Sequence, residues 1–560
     1  MGKLDAANMG ATAAPDWRSA ALEKLADRAF DLLIIGGGIV GCGVARDAAL
    51  RGLRVALCEK DDFASGTSSR SSRLVHGGVR YLEHGHLHLV FESSRERRRL
   101  LRIAPHLVRP LAFTWPVYRG ARVAHWKLLA GLTLYDALAL FRNVGNHRRL
   151  TSEGVMQREP GLLQEELEGG AIYWDAATDD SRLTLANALG AVRAGATVLN
   201  HAEVISLVTE HGRASGAMVR DAFSAREVQV RARCIVSAVG PWTDTLHADT
   251  LPVDALNSMD GSHDAPSVLG SAGVHIAVPR ARIGNREAIT LVAPQDGRVM
   301  FVLPAREHAI VGTTETPARS GPDQVRATRE EVRYLLDACS AYFPNAHLQD
   351  SDVVAAWSGI RPLAATLAEG DPGSASREHS IVQTRLGVLS VTGGKLTTYR
   401  AMAEDVVDRA LASLGDAPRS GRNIRETPLP GGDMLSLEAT EREATEAVGD
   451  TAVATRLVQA YGSAWRDVWR SGLGRGERID PALPYTMAEA SYAFASEMAC
   501  TLGDVLIRRT HLAFETRDHG WQAARRVAAW LSPYLKWDDA RVQDQLRRYD
   551  REAERLFSIV

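Results

Sequence analysis

Cysteine is scarce in this 560-residue chain. The five present, Cys42, Cys58, Cys234, Cys339 and Cys500, are odd in number and form no CxxC pair or Cys/His ligand spacing. That pattern argues against a disulfide framework and a zinc site and fits a reducing compartment, so no metal is expected. An excess of charge of either sign is missing too: 66 Lys and Arg stand against 68 Asp and Glu. No field draws the whole molecule to nucleic acid, and no nucleic-acid partner is expected. Long apolar runs are also absent. The longest, residues 32–45, is glycine-rich and stops at Arg46 and Asp47, short of the ~20 residues that a membrane-spanning helix needs. Residues 1–28 lack an apolar core of signal-peptide length and read as an extension in which Ala20, Leu22, Leu25, Ala29 and Phe30 mark a short amphipathic helix. A cytoplasmic location is the resulting expectation.

Periodicity and turn residues organise what is there. Residues 31–35 are a short apolar run ending in Gly36-Gly37-Gly38, residues 44–50 follow helical spacing until Gly52, and residues 54–58 are a second apolar run. This is the βαβ opening of a doubly wound parallel sheet. After about residue 165 short β-type segments predominate, at 197–208, 217–219, 228–230, 234–238 and 273–279, and helices are expected to be scarce. Apolar runs at 289–292 and 299–303 flank Gln295-Asp296-Gly297-Arg298, a strong hairpin signal within an antiparallel sheet. Residues 257–266, dense in Ser, Asp, Gly and His, read as a loop. A buried strand at 386–391 ends at Gly393-Gly394 and leads into an amphipathic helix towards Leu414. From Thr427-Pro428 onward β signals vanish and helical periodicity dominates. The expected division is an extension (1–28), a discontinuous nucleotide-binding domain (about 29–110, 165–250 and 350–426), an interleaved antiparallel substrate domain (about 111–164 and 251–349) and a helical domain (427–560).

Gly36-x-Gly38-x-x-Gly41 follows a strand and opens a helix, and Glu59 ends the next strand 18 residues beyond Gly41. The first glycine permits a tight turn, the second lets backbone N–H groups approach a pyrophosphate, and the third lets helix and strand pack closely. The helix N-terminus faces the diphosphate charge, and Glu59 accepts from ribose hydroxyls. Glycines alone also occur as plain packing in a βαβ unit; strand, helix and acid together predict a dinucleotide site. The rest of the chain favours FAD over NAD. A strand at 234–238 delivers Gly240-Pro241-Trp242, and Gly393-Gly394-Lys395-Leu396-Thr397-Thr398-Tyr399-Arg400 opens a late helix. A nucleotide fold interrupted by a β-rich insert and resumed after residue 380 suits an extended flavin, and the late helix would put its positive end by the flavin pyrimidine ring. Residues 65–73, rich in Ser, Thr and Arg, offer donors for phosphate or flavin edges and read equally well as a polar surface loop.

The motifs IIGGGIVGCGVARDAALRG, SGTSSRSSRLVHGGVRYLE, AWSGIRPL and VTGGKLTTYRAMAED, together with APHLVRPLAF, WDAATDDSRLTLANAL, SAGVHIAVP, AIVGTT and DVLIRRTHLAF, resemble the FAD-dependent glycerol-3-phosphate dehydrogenases of bacteria and mitochondria. The resemblance runs collinearly from about Phe30 to Phe514. It implies an α/β fold: a Rossmann-like FAD-binding domain of the glutathione-reductase/D-amino-acid-oxidase type, an antiparallel β substrate domain and a C-terminal α-helical domain. It further implies oxidation of sn-glycerol 3-phosphate to dihydroxyacetone phosphate, electrons passed to a membrane quinone, a homodimer and peripheral attachment to the inner face of the cell membrane. FAD contacts are expected at Gly36, Gly38, Gly41, Glu59, Thr67, Ser68, Ser69, Ser72, Leu74, His76, Val204, Gly240, Trp242, Gly394, Lys395, Leu396 and Thr397.

Taking hydride from C2 requires a base for the C2 hydroxyl proton and cations for the phosphate. His76 is the first candidate base, because imidazole titrates near working pH; His275 is the second, and either is equally readable as a neutral loop histidine. Arg80, Arg361 and Lys395 fall in motifs whose counterparts line the family's substrate pocket, with Tyr81 and Tyr399 beside them, and Arg377 is a weaker phosphate candidate. Exposed salt bridges are the common alternative fate of such cations. Two positions depart from the family pattern: Glu315 stands where Asp is usual, and His511 where Arg is usual. Residues 119–149 set Trp126, Leu128, Leu129, Leu132, Leu134, Tyr135, Leu138 and Phe141 among Arg122, Lys127, Arg142, Arg148 and Arg149. That suits a helix lying in a bilayer interface, or one packed on the protein's own core. An oxygen-using glycerol-3-phosphate oxidase and an amine or 2-hydroxy-acid oxidase are the alternative activities.

Overall fold

The computed structural model describes residues 16–82, 85–141, 143–250, 268–318, 320–364, 378–415, 424–471 and 474–560. The βαβ opening is strand Ala29–Ile35, helix Ile39–Leu50 and strand Val55–Cys58, nearly all of it buried. Glycine at position 41 is required by close approach: a side chain there would drive into the backbone carbonyl of Gly36. These strands belong to an eight-stranded sheet with the order His379–Gln383, Leu389–Gly393, Glu227–Ser237, Ala29–Ile35, Val55–Cys58, Thr197–Leu199. Each pair among the last five is parallel, and His379–Gln383 is antiparallel to its neighbour. The hairpin Ala202–Glu210 and Arg213–Asp221 extends the sheet from the first half of Glu227–Ser237.

Apolar residues on both faces make these strands buried ones. Leu32, Ile34, Leu57 and Val236 pack under helices Ile39–Leu50, Asp180–Arg193 and Tyr399–Leu414. Leu33, Val219 and Val230 pack with Leu22 and Leu25 of helix Asp16–Asp27, the short amphipathic helix expected near the N-terminus, although Ala29 and Phe30, expected to belong to it, open the first strand instead. Helix Asp180–Arg193 stands where helices were expected to be scarce. Its start is written in the sequence, since the Asp179 side chain accepts from Arg182 N and caps it.

The second sheet has ten strands and is largely antiparallel. Hairpin strands Ala288–Val292 and Val299–Ala305 pair as the Asp296-Gly297 turn requires, with Ile289 opposite Val302. Two expected domain boundaries move. Strand Leu167–Thr178 pairs with Val108–Tyr118, and strand Ala355–Ala364 with Val268–Pro279. Both therefore belong to this sheet rather than to the nucleotide sheet, to which cuts near 165 and 350 assigned them. Alternation along a strand tells which face is buried, and nothing about which neighbour it pairs with. The loop expected at 257–266 lies outside the described residues.

Beyond residue 427 the described chain is built from helices, among them Leu437–Val448, Thr451–Tyr461, Met487–Ser496, Trp521–Leu535 and Asp539–Phe557. The later ones dock on the second sheet, and the first two form a cluster of their own around Leu457 and Tyr461. Phe113, Trp115 and Trp357 share one core with Tyr485, Phe514 and Leu531.

Candidate active site

Four strand ends of the parallel sheet meet at one cleft. Gly36 and Gly38 follow Ala29–Ile35, Glu59 follows Val55–Cys58, Gly240 and Trp242 follow Glu227–Ser237, and Gly393 and Gly394 end Leu389–Gly393. All line a cavity of about 470 Å³, together with Val204 from the hairpin. This is where ligands sit in open α/β sheets, outside the carboxyl ends of the strands. Helix Ile39–Leu50 begins at Gly38 with no side-chain cap, so its positive end faces the cavity. Ser68 Oγ accepts from Ile39 N at 2.9 Å, and Glu59 accepts from Gly37 N at 2.6 Å and Asp61 N at 2.8 Å. Burial and Asp61 push the Glu59 carboxyl up to about 7, and the two N–H donors act in the opposite direction.

A second chamber of about 270 Å³ opens from the first, sharing Thr67, Ser68, Pro362, Gly394, Lys395 and Leu396 with it. Its wall carries Ser72, Leu74, His76, His275, Arg361 and Thr397. Arg361 projects from strand Ala355–Ala364 and donates to Thr313 Oγ1 at 2.9 Å and Thr314 O at 3.5 Å. A glycine at 273 makes room for it, because a Cβ there would stand 2.5 Å from the guanidinium. His275, two residues along the same strand, stacks on Trp357 with ring centres 5.6 Å apart and meets Ser72 Oγ at 2.9 Å. Burial, then Arg361 and Arg73, push its pKa down to about 3, so the ring is neutral across the physiological range. Lys395 Nζ reaches Ser93 Oγ at 3.3 Å.

The turn bearing His76 is held from two sides. Thr397 Oγ1 accepts from His76 N at 3.1 Å and donates to His76 O at 3.2 Å. Gly77 N donates to Asp175 Oδ1 at 2.9 Å, the same oxygen that takes Tyr135 Oη at 2.8 Å and pairs with Arg97. Asp175, Tyr135 and Arg97 come from three different elements and are all buried. A fully satisfied buried network of this kind fixes a turn rigidly.

Residues 31–400 match the family described as FAD dependent oxidoreductase, and residues 424–542 match the C-terminal domain of alpha-glycerophosphate oxidase. The chain is 36% identical over 538 residues to the mitochondrial glycerol-3-phosphate dehydrogenase of Macaca fascicularis, covering 92% of this chain and 72% of that protein. It is also 36% identical over 549 residues to glycerol-3-phosphate dehydrogenase 2 of Mycobacterium bovis, covering 96% and 91%. The chain belongs to the FAD-dependent glycerol-3-phosphate dehydrogenase family. The crystal structure of the Bacillus halodurans glycerol-3-phosphate dehydrogenase complexed with FAD superposes with a TM-score of 0.78 at 28% identity, over 97% of this chain and 99% of that one. Geobacillus kaustophilus glycine oxidase, at 19% identity and a TM-score of 0.51, shares the fold alone. The expected architecture of FAD domain, antiparallel sheet and helical region is thus the observed one, and FAD is the cofactor.

The cleft fits that group. A glycine turn at a helix start suits a pyrophosphate, a buried carboxylate beyond the second strand suits a ribose, and the second chamber, sharing wall residues with the first, leaves room beyond it for a ring system. Not every expected contact lies on it. Gly41 and Ser69 line neither chamber: Gly41 serves helix packing, and Ser69 is buried with its hydroxyl turned to Gly66 O at 3.4 Å. Tyr399, expected beside the substrate, is corrected outright. It is fully buried, lines neither chamber, and its hydroxyl meets Asn187 at 3.0 Å, because the first turn of its helix packs against Gly43. The Arg80 and Tyr81 side chains and Arg377 lie outside the described residues. Arg70, from the donor-rich stretch 65–73, and Glu315, one of the two departures from the family pattern, line the second chamber, whereas Arg298 on its wall and Asp175 at the His76 turn were missed. Arg298 stood in plain view in the hairpin signal, but a turn signal carries no chemistry. His511 lies with Nε2 3.2 Å from Asp179, at the cap of helix Asp180–Arg193, and its ring is beside Phe514. That departure from the family pattern falls on domain packing.

Proposed function

We propose that this chain oxidises sn-glycerol 3-phosphate to dihydroxyacetone phosphate, with hydride leaving C2 for FAD and the electrons passing on to a membrane quinone. The observation that carries this is the placing of Arg361 and Lys395 in a chamber joined to the cofactor cleft at Gly394, Lys395 and Leu396. A forked guanidinium and an ammonium suit a phosphate dianion, and the printed names of the relatives support the substrate. His275 belongs to the substrate wall in this scheme as a neutral hydrogen-bonding group, and the family resemblance adds Arg80 and Tyr81 as substrate contacts. His76 takes the C2 hydroxyl proton, since a ring held neutral down to about pH 3 is too weak a base for that step. FAD, when bound, supplies the acceptor for the hydride.

Attachment to a bilayer has its own support. Helix His125–Leu138 buries Leu128, Leu132 and Tyr135. Trp126, Leu134, Leu140, Phe141 and Val144 remain exposed beside Leu87 and Phe91, Trp126 by 68%. Among the described residues no helix is long and apolar enough to cross a membrane, and an exposed apolar band flanked by Arg122, Lys127, Arg148 and Arg149 suits the interface of an anionic bilayer. Oxygen as the acceptor is the second reading, favoured by the likeness of residues 424–542 to the C-terminal domain of an oxidase.

The test is to purify the protein with its flavin and add glycerol 3-phosphate without oxygen. Bleaching of the flavin absorbance is the expected result; a fully loaded flavin that stays oxidised removes the substrate. Reoxidation of the bleached enzyme, faster with a short-chain quinone than with air, selects the dehydrogenase over the oxidase.

A further inference from the structure

We infer that Arg298 is a specificity residue of the second chamber, completing with Arg361 a two-guanidinium site for the phosphate of the substrate; the inference rests on the substrate proposed above. Arg298 follows the Asp296-Gly297 turn and lines the chamber with Arg361, Thr313 and Glu315. Both guanidiniums hold the same short segment. Arg361 donates to Thr313 Oγ1 at 2.9 Å and Thr314 O at 3.5 Å, and Arg298 donates to Glu315 O at 3.1 Å. Residues 313 and 315 are two steps apart, at most about 7 Å of chain, so the two cations are held to one short stretch of the same chamber's wall.

The turn does not need this guanidinium for its own shape. Ala293 N to Arg298 O at 2.7 Å, Gly297 N to Ala293 O at 2.9 Å and Arg298 N to Asp296 Oδ1 at 3.0 Å already close it. Nor is the charge spent in a tight pair. Its carboxylate neighbours stand at 3.4 Å (Asp296) and 3.9 Å (Glu315), whereas Arg456 and Arg182 hold Glu489 and Glu497 at 3.0 and 2.8 Å in the helical domain. A guanidinium kept near two loose carboxylates is steadied while the chamber is empty and can turn its fork to a phosphate dianion, the stronger bidentate acceptor. Glu315, longer by one carbon than the Asp usual in the family pattern, supplies the second of these carboxylates.

Arg298→Ala and Arg298→Lys, both FAD-loaded, decide the matter. Loss of the fork is expected to raise the KM for glycerol 3-phosphate by about 10- to 100-fold and to shrink the preference for glycerol 3-phosphate over glycerol by a like factor, with Arg298→Lys in between. Titration with inorganic phosphate, read by the shift of the bound-flavin absorbance, should weaken in parallel. Unchanged KM and phosphate affinity, or equal losses for glycerol and glycerol 3-phosphate, overturn the assignment. If the parent enzyme does not bleach with glycerol 3-phosphate the proposed substrate fails, and the phosphate titration still tests Arg298: weaker binding in the variant keeps the anion site, equal binding removes it.

Discussion

Within the second chamber, neighbouring histidines are given different work by their surroundings. His275 is stacked on Trp357, and its burial and then the charges of Arg361 and Arg73 disfavour its protonated form. His76 sits in a half-buried turn whose backbone is clamped by Thr397 and by the Asp175 network. A proton acceptor must be positioned within reach of the proton it takes, and these clamps set His76 on the chamber wall. His76→Asn is expected to keep the flavin spectrum, to lower kcat by about 10²- to 10⁴-fold, and to remove the acid limb of the kcat/KM profile between pH 5 and 8. Measuring that profile for the variant and the parent checks it; a variant that retains both rate and limb places the base elsewhere.

At the scale of elements, strand-turn-helix grammar was legible before any coordinates. The Gly36 turn, the Asp296-Gly297 hairpin and the Gly393 turn all stand where local sequence put them, because each depends on glycine conformations and short-range periodicity. Sheet membership was not legible, since pairing of Leu167–Thr178 with Val108–Tyr118 is a long-range choice that alternation cannot encode. The site divides in the same way. Arg361, Lys395 and His76 could be picked from motifs, whereas Tyr399 sits in the same motif as Lys395 and turns into the core, because a helix presents consecutive residues to different directions. Helix His125–Leu138 packs one face in the core and leaves residues of the other exposed. If that exposed face lies in a bilayer, each of Trp126 and Phe141 contributes about 1 to 2 kcal/mol of partial burial. Trp126→Glu combined with Phe141→Glu should then weaken binding to anionic phosphatidylglycerol vesicles by about 30-fold or more, with anaerobic bleaching retained. Co-sedimentation at equal lipid gives the comparison, and unchanged partition would show that another surface makes the contact.

Across the whole molecule, the helical domain is tied to the FAD domain through buried charge. Asp62, three residues beyond Glu59, takes Arg508 at 2.6 Å and Arg509 as well, while Arg508 also holds Asp504 at 2.9 Å and Asp504 pairs with His201. Such clusters fix how domains sit more than they add stability. The same junction buries His106, which lies against Gly431 and Gly462. Burial, then Arg182 and Arg109, push it down to about 3. The unfolded chain binds a proton at His106 below its ordinary value near 6.5 and the folded chain does not, so its contribution is intact above pH 6.5 and is lost as pH falls towards 3. By pH 5 that loss is about 2 kcal/mol. Glu159 works the other way: burial pushes its carboxyl up to about 7, so folding gains from it over the same fall in pH. Glu59, also pushed up to about 7, acts as Glu159 does, and His275, pushed down to about 3, acts as His106 does; the parent's total slope mixes them all, and the difference between variant and parent is the quantity to read. In His106→Gln the fall in unfolding free energy from pH 6.5 to pH 5, measured by urea titration, should be smaller than the parent's by about 2 kcal/mol. Parallel slopes would mean that His106 takes up its proton in the folded state, and that the junction opens to water without unfolding.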